Sequence, residues 1–472
     1  MTDPTAPAPT IVWLRRDLRL DDHPALSAAA ARGGAVIPVF ILDPETEAQG
    51  AAHRWRLGEG LEVFATTLAA RGSRLILRRG PALDVLRALV AETGAGAVHW
   101  SRLYDGAARA RDAAVKTALK SDGVDAQSFN GALIHEPWEV RTKTGTFYKV
   151  YSPFARAARA MPARAPIDPP EVLRAPARWP GSDALADWAL GTDMRAGAAV
   201  IAPHARVGEA AAAHRLGAFL ETRADAYRDA RDFLDRKACS GLSENLALGE
   251  ISPRRIWAIA SDGMRGGRGV EHFLSEVLWR EFAYHLIFNT PRIETGNWRE
   301  EWDAFPWRGD NADAERWRRG QTGVDVVDAA MRELYVTGTM HNRARMLVAS
   351  YLTKHLMTHW QVGAAWFKHT LIDWDPAANA MGWQWAAGSG PDASPFFRIF
   401  NPETQAEKFD PQRRYRDHWL NGKGAAEFLC AAPKMWNLSG QVRRPMPMID
   451  LKEGRTRALS VYQAMKSAAE AA

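Results

Sequence analysis

Over its first 130 residues the chain repeats a pattern that few folds can satisfy. Short, continuous apolar runs alternate with stretches of helical length and spacing. The runs cover residues 11–14, 35–42, 75–77, 97–100 and, more weakly, 124–129, while residues 57–71 and 83–93 between them have a helical period. Parallel strands need a crossover of a dozen or more residues, usually a helix, so this alternation predicts a parallel α/β sheet. From about residue 161 to 206 the chain turns rich in proline, alanine and charge, as in Pro162-Ala163-Arg164-Ala165-Pro166-Ile167-Asp168-Pro169-Pro170, and no period persists. Beyond that the strand signal is gone. Val327, Ala330, Met331 and Leu334 recur at helical steps with Gly338 as a stop, and Met346, Ala349, Leu352, Leu356 and Trp360 form a second stripe. The expected organisation is an α/β unit over residues 1–135, a connecting segment over 136–206 and an all-helical unit over 207–472.

Several chemistries are excluded at the outset. Cys239 and Cys430 are the only cysteines, far apart and outside any CxxC pair, so a disulfide framework, a cysteine zinc site and a four-cysteine cluster are ruled out. No metal site is expected. A calcium loop beginning at Asp373-Trp374-Asp375 fails because alanines stand at its fifth and sixth positions. There is no P-loop, HExxH, GxSxG, or GxGxxG after an expected strand. The start has neither a basic n-region nor an apolar h-region, and no apolar run approaches the ~18 residues of a membrane span, so the expected location is the cytoplasm. Lys+Arg 61 against Asp+Glu 55 gives a net charge of +6, compatible with a phosphate-bearing partner without demanding one.

Tryptophan, normally the rarest aromatic, is here the commonest, with 19 Trp against 17 Phe and 9 Tyr. Ten of them fall between Trp279 and Trp385, many beside arginines. Core packing is the default reading of any single indole. Indoles next to arginines can also stack on nucleobases, and an indole is the side chain most readily oxidised by one electron. Asp375 followed by Pro376 reads as a helix start, but a cap alone leaves the clustering of Asp373, Asp375 and Asn379 before Trp383 unexplained. Arg343 and Arg345, two apart on a helix, face different directions, so that one can meet a buried carboxylate and the other a phosphate. Asn437-Leu438-Ser439 matches a glycosylation acceptor that a cytoplasmic protein would leave idle.

The stretch Val12-Trp13-Leu14-Arg15-Arg16-Asp17-Leu18-Arg19-Leu20-Asp21-Asp22-His23-Pro24 resembles the opening of the photolyase/cryptochrome family. Residues 340–346, residues 373–385 and Phe397-Arg398-Ile399-Phe400-Asn401-Pro402 resemble its flavin and DNA-binding core. The resemblance covers nearly the whole chain. It implies a Rossmann-like antenna domain, a long linker and a helical domain holding FAD in a U shape. Tyr227 and Cys239-Ser240-Gly241-Leu242-Ser243 match the FAD phosphate and ribityl contacts, although Cys239 replaces the usual threonine and Gly241 an often larger residue. Arg280 is expected among the FAD contacts and also at the DNA. The resemblance further implies an Arg345–Asp373 ion pair beside the flavin ring, Asp375 against the flavin, and Asn379 at flavin N5, where an amide favours the reduced anionic form.

On the substrate side, Glu276, Trp279, Asn342, Met346 and Trp385 match the pocket for a flipped-out cyclobutane pyrimidine dimer. Arg231, Arg280, Arg343 and Arg398 match rim arginines that hold DNA phosphates, and Trp383, Trp360 and Trp307 match the electron chain from flavin to surface. Trp13, Trp55, Trp100 and Trp138 are left to packing. The implied activity is that of a light-driven carbon–carbon lyase acting as a monomer on UV-damaged DNA, duplex or single-stranded, and nucleoid-associated when bound. A blue-light photoreceptor of cryptochrome type, with FAD but little repair activity, is the alternative. For the antenna pigment, a folate such as methenyltetrahydrofolate or a deazaflavin is possible, but Ala107-Ala108 stands where folate-binding relatives carry Asn-Glu.

Overall fold

The computed structural model describes residues 7–194, 196–262, 267–392, 395–396, 398–438 and 445–471. Phe397 of the Phe-Arg-Ile-Phe motif and Ser439 of the glycosylation acceptor lie outside them. Five parallel strands, β1 (Thr10–Leu14), β2 (Val36–Leu42), β3 (Ile76–Arg79), β4 (Ala97–Ser101) and β5 (Asp125–Phe129), form a sheet of order β3-β2-β1-β4-β5. The strands read as continuous apolar runs because both faces are covered. Ile11, Trp13, Val39 and Trp100 pack on one side against Leu86, Leu89, Val115 and Leu119 of helices Ala82–Thr93 and Gly106–Ser121. Val12, Leu14, Phe40 and Leu42 pack on the other against Leu57, Leu61 and Phe64 of helix Ala51–Ala69. Trp13 pairs in register with Trp100, their rings 5.8 Å apart.

The segment from 136 to 206 crosses between the two bodies and is not wholly irregular. It contains helix Tyr151–Ala160, whose Phe154, Ala155 and Ala158 are buried, and short helical turns up to Ala196–Ile201. From Glu209 onward every named element among the described residues is a helix or helical turn. Helix Asp325–Thr337 buries Val327, Ala330, Met331 and Leu334 and ends at Gly338, whose φ of +66° is the left-handed conformation that a glycine adopts without strain. The second stripe is not one helix. An α-helix over Asn342–Ser350 loosens into a π-turn over Tyr351–His355, Met357 takes a φ of +55°, and a new helix begins at Trp360 with His359 accepting from the Gln361 N–H. The apolar period survives the break because Leu352, Leu356 and Trp360 are all buried in the same core.

Buried ion pairs and hydrogen bonds join the two bodies. Arg56 of the α/β unit pairs with Glu244 (3.0 Å) and Glu250 (2.6 Å), Arg254 pairs with Asp22 (3.1 Å), and Arg19 donates to the carbonyls of Asp22, Gly131 and Gly249. Of the charges between Arg15 and Asp22, Arg19, Asp21 and Asp22 thus serve docking, while Arg15, Arg16 and Asp17 pair within the α/β unit. No helix among the described residues is long and apolar enough to cross a membrane.

Candidate functional site

Three helices build the main cleft. Helix Arg268–Asn289 presents His272, Glu276 and Trp279 at steps of four and three, which places them on one face. The start of helix Asn342–Ser350 supplies Asn342, Arg345 and Met346, and helix Pro376–Ala387 supplies Asn379, Trp383 and Trp385. The cleft has two lobes. One, of about 620 Å³, is lined by Glu276, Trp279, Asn342, Met346, Trp385 and by Asp373, Asp375, Asn379 and Trp383. The other, of about 770 Å³, is lined by Tyr227, Cys239, Ser240, Gly241, Leu242 and Ser243. Arg231, Glu276, Asn342, Arg345 and Asp373 line both, so the lobes adjoin.

Arg345 Nη2 bonds Asp373 Oδ2 at 2.6 Å, the expected ion pair. Asp375 caps its helix by accepting from the Ala378 N–H at 2.8 Å and also accepts from the Tyr284 hydroxyl, so it serves both the packing reading and the cavity wall. Asn379 donates to the Ala364 carbonyl at 3.2 Å. Asp373 Oδ1 and Asn379 Oδ1, both lining the first lobe, are buried without a protein partner. Buried polar atoms left unpaired cost about 1–3 kcal/mol each, so their convergence on one cavity fits a polar heteroaromatic ligand there. Gly241 has a φ of +72°, which explains why a larger residue is not needed and a glycine suffices, while burial raises the Cys239 thiol pKa.

The three chain tryptophans occupy graded depths. Trp383 and Trp360 are buried and Trp307 is half-buried. The Trp383 ring lies across Gly363, one turn beyond Trp360 on the same helix. His359 stands between the other two, 5.5 Å from each ring.

The positions of several arginines require correction. Arg280 lies on neither lobe: it sits one turn beyond Glu276, where the helix passes beneath the α/β unit, donates to the Ala132 carbonyl at 2.9 Å and stacks on Tyr284. In this position it ties the helix to the segment around Ala132 and lines neither lobe. Arg343 pairs with Asp232 at 2.6 Å and Arg231 with Glu276, so both have carboxylate partners. Arg398 is exposed, its carbonyl accepting from Lys354. Trp138 packs on Phe288 and Arg102 but is 37% exposed, so its packing is at the surface and not in the core.

Sequence reasoning missed His272, Asp232 and Trp317. Trp317 is fully buried 6.1 Å from Trp383, and only its place in the tryptophan-rich region hinted at a role. A third cavity, of about 560 Å³, opens at the carboxyl ends of β1, β2 and β4, where the strand order reverses, and is closed by the helical body. Arg15, Arg16, Ala107, Ala108, Lys368 and Trp374 line it. Trp374 and Asn379 line both this cavity and the first lobe, and so separate the two.

Two adjoining lobes in a helical body, walled in part by indoles and holding unpaired buried polar atoms, fit a protein that binds a large heteroaromatic ligand. Residues 10–172 match the family described as DNA photolyase, and residues 273–464 match the FAD binding domain of DNA photolyase. The chain is 42% identical over 471 residues to a deoxyribodipyrimidine photo-lyase of Agrobacterium fabrum, covering 97% of this chain and 98% of that protein. The structure of a bacterial class III photolyase from Agrobacterium tumefaciens superposes with a TM-score of 0.91 at 42% identity, over 99% of both chains. A Synechocystis cryptochrome superposes at 0.85 with 26% identity, over 98% of this chain and 100% of that one. The chain belongs to the DNA photolyase/cryptochrome family.

Proposed function

We propose that this protein is a light-dependent DNA repair enzyme that splits cyclobutane pyrimidine dimers into two pyrimidines. The observation that carries this reading is the gathering of Glu276, Trp279, Asn342, Met346 and Trp385 on the lobe that also contains Asp373 and Asn379. FAD, when bound, supplies light-driven one-electron donation to the lesion and takes the electron back, so that no net oxidation results. Tyr227 and residues 239–243 hold its diphosphate and ribityl chain, and Asp373, Asp375 and Asn379 orient its ring. Trp279 and Trp385 flank a dimer turned out of the helix, which costs least where damage has already weakened stacking. Glu276 accepts hydrogen bonds from a pyrimidine edge. Trp383, Trp360 and Trp307 pass electrons inward from solvent. Arg343 and Arg398 face the DNA backbone, Arg343 after exchanging Asp232 for phosphate, and Arg231 reaches a phosphate only when Glu276 lets it go.

The cavity at the sheet's switch point is the place we assign to an antenna pigment. Ala107 and Ala108 offer it no side-chain hydrogen bonds, whereas Arg15, Arg16 and Lys368 offer cationic donors, which suits a folate held by its acidic tail or a deazaflavin phosphate. We read the three units as antenna domain, linker and FAD domain of a cytoplasmic monomer that joins the nucleoid through DNA. The cryptochrome reading is less favoured, because every side chain expected at the lesion is present in the lobe.

Illumination of the reduced protein with a dimer-containing oligonucleotide tests the proposal. Dimers should disappear in light and persist in the dark; no loss in light overturns it.

A further inference from the structure

Glu276 is not free in the cleft. Arg231 Nη1 contacts its Oε1 and also lies 3.0 Å from His272 Nε2, while that same imidazole nitrogen is 3.9 Å from Glu276 Oε1. A guanidinium has only donors, so His272 Nε2 must be the acceptor and its proton must sit on Nδ1. One guanidinium nitrogen therefore uses its two hydrogens on two acceptors, a carboxylate and a neutral imidazole. His272 is one helical turn before Glu276, 38% exposed, and lines the same lobe.

We propose that His272 is a positioning residue that makes the hold on Glu276 dependent on pH. This rests on the reading of Glu276 as a contact to the lesion. Neutral His272 accepts from Arg231 and keeps that guanidinium seated on Glu276. Protonated His272 can no longer accept: its Nε2–H points at another donor, two cations lie 3.0 Å apart, and the acceptor nearest the new proton is Glu276 itself. Glu276 then turns toward the imidazolium on its own helix, and Arg231 is released to the solvent side. The charged groups around His272 are Arg231, Arg228 and Asp232 from the neighbouring segment and Glu276 from its own helix, with the Tyr227 ring 5.9 Å away. Burial is the first cause that lowers the imidazole pKa below its ordinary value of 6.5, so the exchange falls on the acid side of neutrality.

The two halves of the exchange have separate signatures. Loss of a seated Glu276 weakens binding of damaged DNA only, while release of Arg231 adds a phosphate contact to any DNA. Binding of dimer-containing and undamaged oligonucleotides to the FAD-loaded protein in the dark, from about pH 5 to 8, measures both. In the parent protein the affinity ratio of damaged to undamaged DNA should fall about three- to tenfold toward acid, a change of ~0.7–1.4 kcal/mol. The log–log salt dependence for undamaged duplex should steepen by about 0.9, one phosphate. In His272→Gln, whose amide oxygen accepts from Arg231 but cannot take up a proton, both profiles should be flat. Glu276→Gln, which leaves the imidazolium no carboxylate to draw, should likewise lose the acid fall in the ratio. An unchanged acid fall in either variant, or a flat ratio in the parent, overturns the proposal. Failure to discriminate damaged DNA at any pH would instead overturn the lesion-contact reading on which it rests.

Discussion

At the scale of single residues, burial decides which charges are tools and which are structure. Glu281 stands in the sequence beside Trp279 and Arg280, yet its carboxylate turns inward and accepts from the Ile134 and His135 N–H groups. Burial, partly offset by Arg280, lifts its pKa from 4.5 to about 7. The unfolded chain ionises this group near 4.5, whereas the folded chain keeps it neutral until about 7. Its contribution to stability is therefore complete below about pH 4.5 and is lost as pH rises to about 7, by on the order of 3 kcal/mol. Glu281→Gln removes this loss. Urea denaturation at about pH 5 and pH 8 should show the variant gaining on the parent at the higher pH, and an equal difference at both would refute the assignment. Nothing in a linear sequence distinguishes Arg280 and Glu281 from their functional neighbours, because helical phase sets a direction and not what waits there. The Asp373, Asp375 and Asn379 cluster was legible for the opposite reason, since a cap needs only one of the three.

Among elements, helix Trp360–Thr370 is the one on which the proposed electron chain most depends. It carries Trp360, and its Gly363 lets the Trp383 indole lie against the backbone: a Cβ there would come 2.0 Å from Trp383 Cη2. Gly363→Ala must push a buried ring aside, which should cost about 1–3 kcal/mol of stability. The same shift, or removal of the middle indole in Trp360→Phe, should slow light-driven reduction of oxidised flavin about tenfold or more, equivalent to ~1.4 kcal/mol of barrier. Flash photolysis of the FAD-loaded variants reads this directly, and an unaltered rate in Trp360→Phe removes that indole from the chain. The break before Trp360 was hidden in the sequence because the apolar period runs through it. A π-turn and a left-handed Met357 change the backbone without changing which residues face the core.

For the whole molecule, the decisive contacts are those between the α/β unit and the helical body. Arg56 is fully buried between Glu244 and Glu250, and between them these residues join segments nearly 200 positions apart. Arg56→Met leaves Glu250 buried without its cation and Glu244 with Arg215 alone, for which a loss of about 3–5 kcal/mol is expected in thermal or urea denaturation. A loss below about 1 kcal/mol would mean that the other partners of Glu244 and Glu250 suffice. The same docking closes the third cavity, which is lined from both units, and places Trp374 between it and the first lobe, which the helical body lines by itself. The sequence by itself determined what local periodicity and motif can encode: a parallel sheet with helical crossovers, a helical remainder, and the residue types of a flavin and lesion pocket. Only the tertiary structure decided which arginine faces the cleft, which clamps the two bodies together, and which carboxylate is paired with a guanidinium that also meets an imidazole. Pairing of charges depends on distances between segments remote in the chain, and those distances are set by how the bodies dock.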